Sequence, residues 1–159
     1  MNDRNLRQHL ANLLASEGAH LDLKDALRGL PSKLRGKRAK NLPHSVWELL
    51  EHIRMAQWVI LEFSRNSKHV SPTWPEGYWP KSPQPPSDSA WSRSIRQFEG
   101  ERSAMKRLVR NGKTNLFAKI PHGDGQTILR EALLIVDHNA YHIGQIVLVR
   151  QALGAWKKD

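Results

Sequence analysis

The 159-residue chain contains no cysteine, which excludes disulfides, thiolate metal ligands and a cysteine nucleophile. Any transition-metal site must therefore be built from imidazole, carboxylate and water. The chain also lacks an uninterrupted apolar run near the roughly 20 residues that cross a bilayer, and its N-terminal segment MNDRNLRQHL lacks the hydrophobic stretch of a secretion signal. From these absences we expect a cytoplasmic protein that does not span a membrane.

Acidic residues are scarce, since 15 Asp and Glu face 25 Lys and Arg, for a net charge of +10. Such a charge attracts phosphate-rich partners, and its densest cluster runs from Lys33 to Lys40. No nucleic-acid-binding motif accompanies it, so we expect nucleic acid not to be the partner. We interpret the charge as a solvated surface that favours an anionic substrate. A basic stress-response or nucleic-acid accessory protein remains an alternative.

The apolar periodicity predicts helices throughout. Four main helices are expected at about residues 3–16, 44–66, 87 or 88 to 110, and 124 or 127 to 153, with a short helical piece near 21–27. The length fits a single domain over residues 1–159. Four amphipathic helices of this kind predict an all-α fold, a four-helix bundle.

Residues 67–87 separate the second and third main helices and hold six of the nine prolines. This proline content excludes a regular helix and a central strand. A disordered linker would be poor in aromatic residues, whereas this segment carries Trp74, Tyr78 and Trp79. We therefore predict an ordered, Pro/Trp-rich crossover that packs against the bundle.

Three of the eight histidines stand where a metal site would need them. His138 and His142 are four residues apart on the last helix, so they project from one face. Asn139 replaces the glutamate of the H-E-x-x-H motif, so a zinc-protease mechanism is not implied. His52 lies on the apolar, core-facing stripe of the second main helix.

Three buried imidazoles need partners for their polar nitrogens, and one divalent ion satisfies all of them. The sequence therefore predicts that His52, His138 and His142 bind a single divalent metal ion and leave a position open for substrate. The alternative is a non-catalytic helical protein in which the histidines make core hydrogen bonds or hold a structural metal.

Two residues near the histidine pair are candidate catalytic residues. Asp137 is a candidate to orient an imidazole ring, and Gln145 is a candidate to hold water or substrate. Glu48 and Glu51 flank the stripe of the second main helix, and we expect both to be exposed. His44 is expected to cap or hydrogen-bond the start of that helix.

Three segments make the chain recognisable: HSVWELLEHIRMAQ, SPTWPEGYWP, and DHNAYHIGQI followed by LVRQALGAW. They resemble the DinB-like (YfiT-like) superfamily, whose members are regarded as metal-dependent enzymes. The likeness extends from about Leu6 to Trp156, and the DHNAYHIGQ stretch is its most specific part.

The resemblance implies an up-down-down-up four-helix bundle, often dimeric. It also implies a nickel, zinc or similar ion held by one histidine of the second helix and two of the fourth, here His52, His138 and His142. Family members with known activity are mainly transferases or isomerases that use a low-molecular-weight thiol, and others are named hydrolases. We accordingly expect a homodimer with bound Ni or Zn and a small-molecule substrate. A thiol nucleophile would make it an S-transferase, and water would make it a hydrolase.

Overall fold

The computed structural model describes residues 3–15 and 17–156. Over these residues the protein is all-helical, as the apolar periodicity predicts. The helices are α1 (Arg4–Leu14), α2 (Leu23–Leu27), α3 (Val46–Arg65), α4 (Asp88–Arg110) and α5 (Ile128–Ala152). Two short 3-10 turns, Ser32–Leu34 and Glu76–Tyr78, lie in the connecting segments. The described part has no strand beyond one isolated β-bridge between Lys119 and Thr127.

Hydroxyl side chains start the three longest helices. Ser45 caps α3 through a capping box, in which its hydroxyl accepts from the Glu48 N–H and the Glu48 carboxylate accepts from the Ser45 N–H. Ser87 caps α4 and Thr127 caps α5 in the simpler way. The sequence expectation for Glu48 was wrong: the residue is only 6% exposed, because it closes this box and pairs with Arg38.

Polar contacts join α3 to α4 inside the protein. The Glu51 carboxylate accepts hydrogen bonds from the Ser94 hydroxyl of α4 and from Arg54 one turn along α3. Glu51 is therefore buried rather than exposed, contrary to the sequence expectation. Further along, Gln57 donates to the carbonyl of Phe98 at 2.8 Å. These contacts fix the position of α3, and of His52 on it, relative to α4.

Buried apolar residues form two large clusters along the length of the helices, and a third, small one joins the loop before α5 to its first residue. The first contains Trp47 and Ile53 of α3 with Trp91 and Phe98 of α4 and Ile143 of α5. The second lies toward the other ends of these helices and includes, besides two leucines of α1, the residues Leu61, Met105, Val109, Ala132 and Ile135. Helix α1 closes this second cluster, and the Arg7 guanidinium donates to the Val109 carbonyl at 2.7 Å.

Helix α5 is apolar on most sides. By length and composition it is the one helix among the described residues that could cross a membrane. Glu131, Asn139 and Arg150 are nonetheless buried along it, and Arg150 donates to the Ala26 and Arg28 carbonyls. Buried polar side chains that make hydrogen bonds inside the protein are typical of a core helix, because a lipid-facing helix would leave them in hydrocarbon.

Candidate metal centre

The structure brings the three predicted histidines together between α3 and α5. The Nε2 atoms of His52 and His138 are 3.2 Å apart. One ring nitrogen from each of His52, His138 and His142 lies within 4.8 Å of the other two. His52 is 2% and His142 8% exposed. Helical spacing aligns the pair on α5, and the packing of α3 against α5 brings the third ring to it.

Oxygen acceptors hold the outer nitrogens of two of the rings. His52 donates its Nδ1–H to the Tyr78 carbonyl at 2.9 Å, and His142 donates its Nδ1–H to the Gln145 side-chain oxygen at 2.7 Å. Because an oxygen acceptor places the ring proton on Nδ1, each Nε2 keeps its lone pair and can bind a metal. Metal-binding histidines are held in the same way, with the second nitrogen bonded to an oxygen.

The cluster has the dimensions of a transition-metal site. Imidazole nitrogens bind Zn²⁺ at about 2.0–2.1 Å in tetrahedral geometry, which places two ligand nitrogens about 3.3 Å apart. The 3.2 Å between His52 and His138 agrees with that spacing. The buried Nδ1 of His138 has no hydrogen-bond partner in the described part of the chain, so this ring has no ordinary core hydrogen bond on its outer side. The three residues therefore fit a metal ion, with the Nε2 atoms of His52 and His138 at the spacing of two ligands.

Burial keeps these imidazoles neutral. It lowers the pKa of His52 and of His138 from 6.5 to about 4 in each case, with a smaller contribution from the neighbouring histidines. Burial also lowers the pKa of His142, against the opposing effect of its bond to Gln145. At neutral pH all three rings are in the unprotonated form that metals require.

The crossover segment covers one side of the site. Trp79 stacks on His52 with ring centroids 3.9 Å apart and planes 6° from parallel. It also stacks on His44, at 4.1 Å. His44 therefore does not act as the helix cap that we expected, since Ser45 has that role. The indole shields the His52 ring from water, which strengthens the burial that keeps the ring neutral.

The two candidate catalytic residues have different surroundings. Gln145 is turned toward His142 and accepts its Nδ1–H, so its side chain orients the ring of a candidate metal ligand. Asp137 is exposed, while the Nδ1 of the adjacent His138 has no partner. A catalytic role for either residue stays a prediction.

The sequence interpretation missed the two crossover residues that complete the site. The Tyr78 contribution is a backbone carbonyl, which every residue type offers, so no sequence signal marks it. Trp79 had a usable signal, since an aromatic residue in a proline-rich segment predicts packing against something apolar. Which residue Trp79 contacts could not be predicted, because that depends on the path of the crossover.

Replacing Gln145 with alanine is expected to lower the Zn²⁺ or Ni²⁺ affinity of the site about 10- to 100-fold, because the His142 ring loses the acceptor that orients it. Competition with a chromophoric chelator measures this. Gln145→Glu keeps an oxygen acceptor and should restore much of the affinity, and Gln151→Ala at an exposed position of α5 is the matched control. An unchanged affinity in Gln145→Ala would show that the hydrogen bond is incidental.

Comparison with known proteins supports the same conclusion about the family. No curated protein and no solved structure matches the chain significantly. The family model of the DinB superfamily matches residues 5–146, a range that covers nearly the whole chain and contains all three histidines. The chain therefore belongs to the DinB superfamily.

Proposed function

We propose that this protein binds one divalent metal ion, Ni²⁺ or Zn²⁺, through His52, His138 and His142, and that it is a metal-dependent enzyme. The observation that carries the proposal is the convergence of three neutral imidazoles, two of which have their outer nitrogens bonded to oxygen. The metal-ligand cluster found among the described residues has three members. Structural zinc sites use four protein ligands, whereas catalytic sites use three and keep a position for substrate.

The residues around the cluster prepare it for this chemistry. The Tyr78 carbonyl and Gln145 hold the rings of His52 and His142 in fixed orientations, so these side chains need little rearrangement when a metal ion binds. Trp79 excludes water from the His52 side. A bound divalent ion supplies Lewis acidity, which lowers the pKa of a coordinated water or thiol. We propose a low-molecular-weight thiol as the nucleophile of an S-transferase reaction, with hydrolysis by water as the competing possibility.

We also propose that the four long helices follow the up-down-down-up order. Contacts between α3 and α4 support it, because residue numbers rise together from the Trp47–Trp91 pair to the Gln57–Phe98 pair. Contacts between α3 and α5 run the opposite way: Leu49 lies near Val149, and Leu61 lies in the same cluster as Ala132. Two parallel neighbours, α3 and α4, need a long connection, and residues 66–87 supply one.

We also propose that the protein is a homodimer in the cytoplasm. Helix α5 exposes a stripe of residues at helical spacing that includes Leu133, Tyr141 and Leu148. Exposed apolar residues in one row are typical of a surface that a second subunit covers. Light scattering coupled to gel filtration measures the mass in solution, and a monomer at micromolar concentration would contradict this part of the proposal.

The function is tested by assaying purified protein with and without Zn²⁺ or Ni²⁺. One assay offers a low-molecular-weight thiol and a chloronitrobenzene electrophile, and the other offers an activated ester without thiol. We expect thiol conjugation to exceed that of metal-free protein by at least an order of magnitude. Faster ester cleavage without thiol would indicate a hydrolase instead.

The controls distinguish catalysis at the histidine cluster from catalysis by free metal or by other basic groups of the protein. His142→Ala should abolish the metal-dependent rate, whereas His9→Ala, at an exposed position on α1, should retain it. Equal rates in the two variants would show that the histidine cluster is not the catalytic centre.

A further inference from the structure

A small cavity of about 60 Å³ lies between the start of α3 and the last turns of α5. Its apolar walls include Leu42, Leu49, Leu148 and Val149, and its polar groups are His44 and Gln145. The lining residues in the described part of the chain include no Asp, Glu, Lys or Arg. A ligand group enclosed here would find apolar contacts and no ion-pair partner, which favours an uncharged aliphatic group.

Two residues of the cavity wall connect it to the histidine cluster, one directly and one through Trp79. Gln145 lines the cavity and also bonds to His142. His44 lines it and stacks on Trp79, which in turn stacks on His52. Leu49 precedes His52 by one helical turn on α3, and Gln145 follows His142 by one turn on α5. The cavity therefore lies between α3 and α5, about one helical turn from the histidine cluster.

We propose that this cavity binds the aliphatic tail of the substrate whose polar head occupies the open position at the three histidines. The inference rests on the proposed function. A single water needs about 10–15 Å³ of such space, so 60 Å³ holds about four to six water-sized groups. The substrate class is thus a small molecule with a metal-binding head and an uncharged aliphatic tail of about four carbon atoms.

The test uses Co²⁺-loaded protein and the n-alkanethiols from methanethiol to hexanethiol as probes. Thiolate binding to Co²⁺ changes its visible absorption, so the spectrum reports binding at the metal without any enzymatic turnover. Each methylene that enters an apolar cavity should tighten binding about fourfold. We expect this increase to continue to about butanethiol and then to stop, because the cavity is full.

Two leucine variants on α5 distinguish binding of the alkyl chain in the cavity from binding to apolar surface in general. Leu148 lines the cavity and is 50% exposed, and Leu133 is 47% exposed on the same helix but outside the cavity. Both residues belong to the exposed row of α5 that is proposed as the dimer surface, so any effect on subunit association is common to the two variants, and neither residue is a metal ligand, so Co²⁺ binding should be intact in both. Leu148→Ala should weaken butanethiol binding about five- to tenfold while leaving methanethiol binding unchanged. Leu133→Ala should affect neither probe.

The outcomes distinguish this inference from the function on which it rests. Chain-length dependence that is reduced in Leu148→Ala and kept in Leu133→Ala supports the cavity as the tail site. Co²⁺ binding with no chain-length dependence, or with equal effects of both variants, overturns the tail site and leaves the metal site standing. Absence of stoichiometric Co²⁺ binding overturns both.

Discussion

Replacing His142 with alanine is expected to abolish stoichiometric binding of Zn²⁺ or Ni²⁺ and the stabilisation that the metal provides. A ligand present at 100 times its dissociation constant stabilises the folded state by about 2.7 kcal/mol. For a chain of this size that corresponds to a rise in Tm of roughly 5–11 °C. Metal-loaded wild-type protein should show this rise and lose it on addition of a chelator. His142→Ala should show neither change, because two imidazoles remain where three are needed.

Elemental analysis after gel filtration, combined with thermal melts, measures both effects. His52→Ala and His138→Ala should behave as His142→Ala does, since each removes one nitrogen of the same cluster. His9→Ala is the matched control, because His9 is exposed on α1. If a variant of the cluster kept one ion per chain and the full rise in Tm, the metal would have to bind elsewhere.

Acidification of the metal-free protein from about pH 6.5 to pH 4 is expected to destabilise it strongly. Burial lowers the pKa of His52 from 6.5 to about 4, so between these values the unfolded chain binds a proton that the folded protein does not. The free energy of unfolding therefore decreases as the pH falls through this window. The loss is on the order of 3 kcal/mol from His52 alone. His138, whose pKa is also lowered to about 4, acts in the same direction.

The ionisation of Glu101 changes the free energy of unfolding in the opposite direction with pH. Its contribution therefore has to be removed before the effect of the histidines can be measured. Burial raises the pKa of Glu101 from 4.5 to about 7, so the folded protein keeps a proton there that the unfolded chain loses, and stability decreases as the pH rises through that range. Urea unfolding of Glu101→Gln with chelator present should expose the histidine effect more clearly. Replacing His52 with methionine in that background should flatten the pH dependence. Proton NMR of the imidazoles is a direct check, and a pKa near 6.5 for His52 would contradict the prediction.

Much of the helical structure and the identity of the three histidines that converge were predictable from the sequence. Helical periodicity, the hydroxyl caps and the four-residue spacing of His138 and His142 are local features, which depend on neighbours one or two turns away. The burial of His52 could also be predicted, because it lies among the apolar residues of an amphipathic stripe.

Glu48 and Glu51 show why the rest could not be predicted. Both flank the apolar stripe of α3, and local pattern alone predicts that such carboxylates face solvent. Glu48 is buried because Arg38, in the preceding loop, reaches it, and Glu51 because Ser94 of α4 does. Buried carboxylates are stable only with such partners. Arg54 is a local partner of Glu51, but Arg38 and Ser94 are ten or more residues away from the carboxylates that they contact.

The sequence by itself determined the helices, the absence of thiolate ligands from the protein and the residue types that can bind a metal here, because each follows from composition or from contacts within a few residues. Only the tertiary structure decided that the Tyr78 carbonyl holds His52, that Trp79 covers it and that Gln145 orients His142 while lining a cavity. The physical reason is that the crossover contacts join residues more than 20 positions apart in the chain, and the direction of the Gln145 side chain depends on what packs around it.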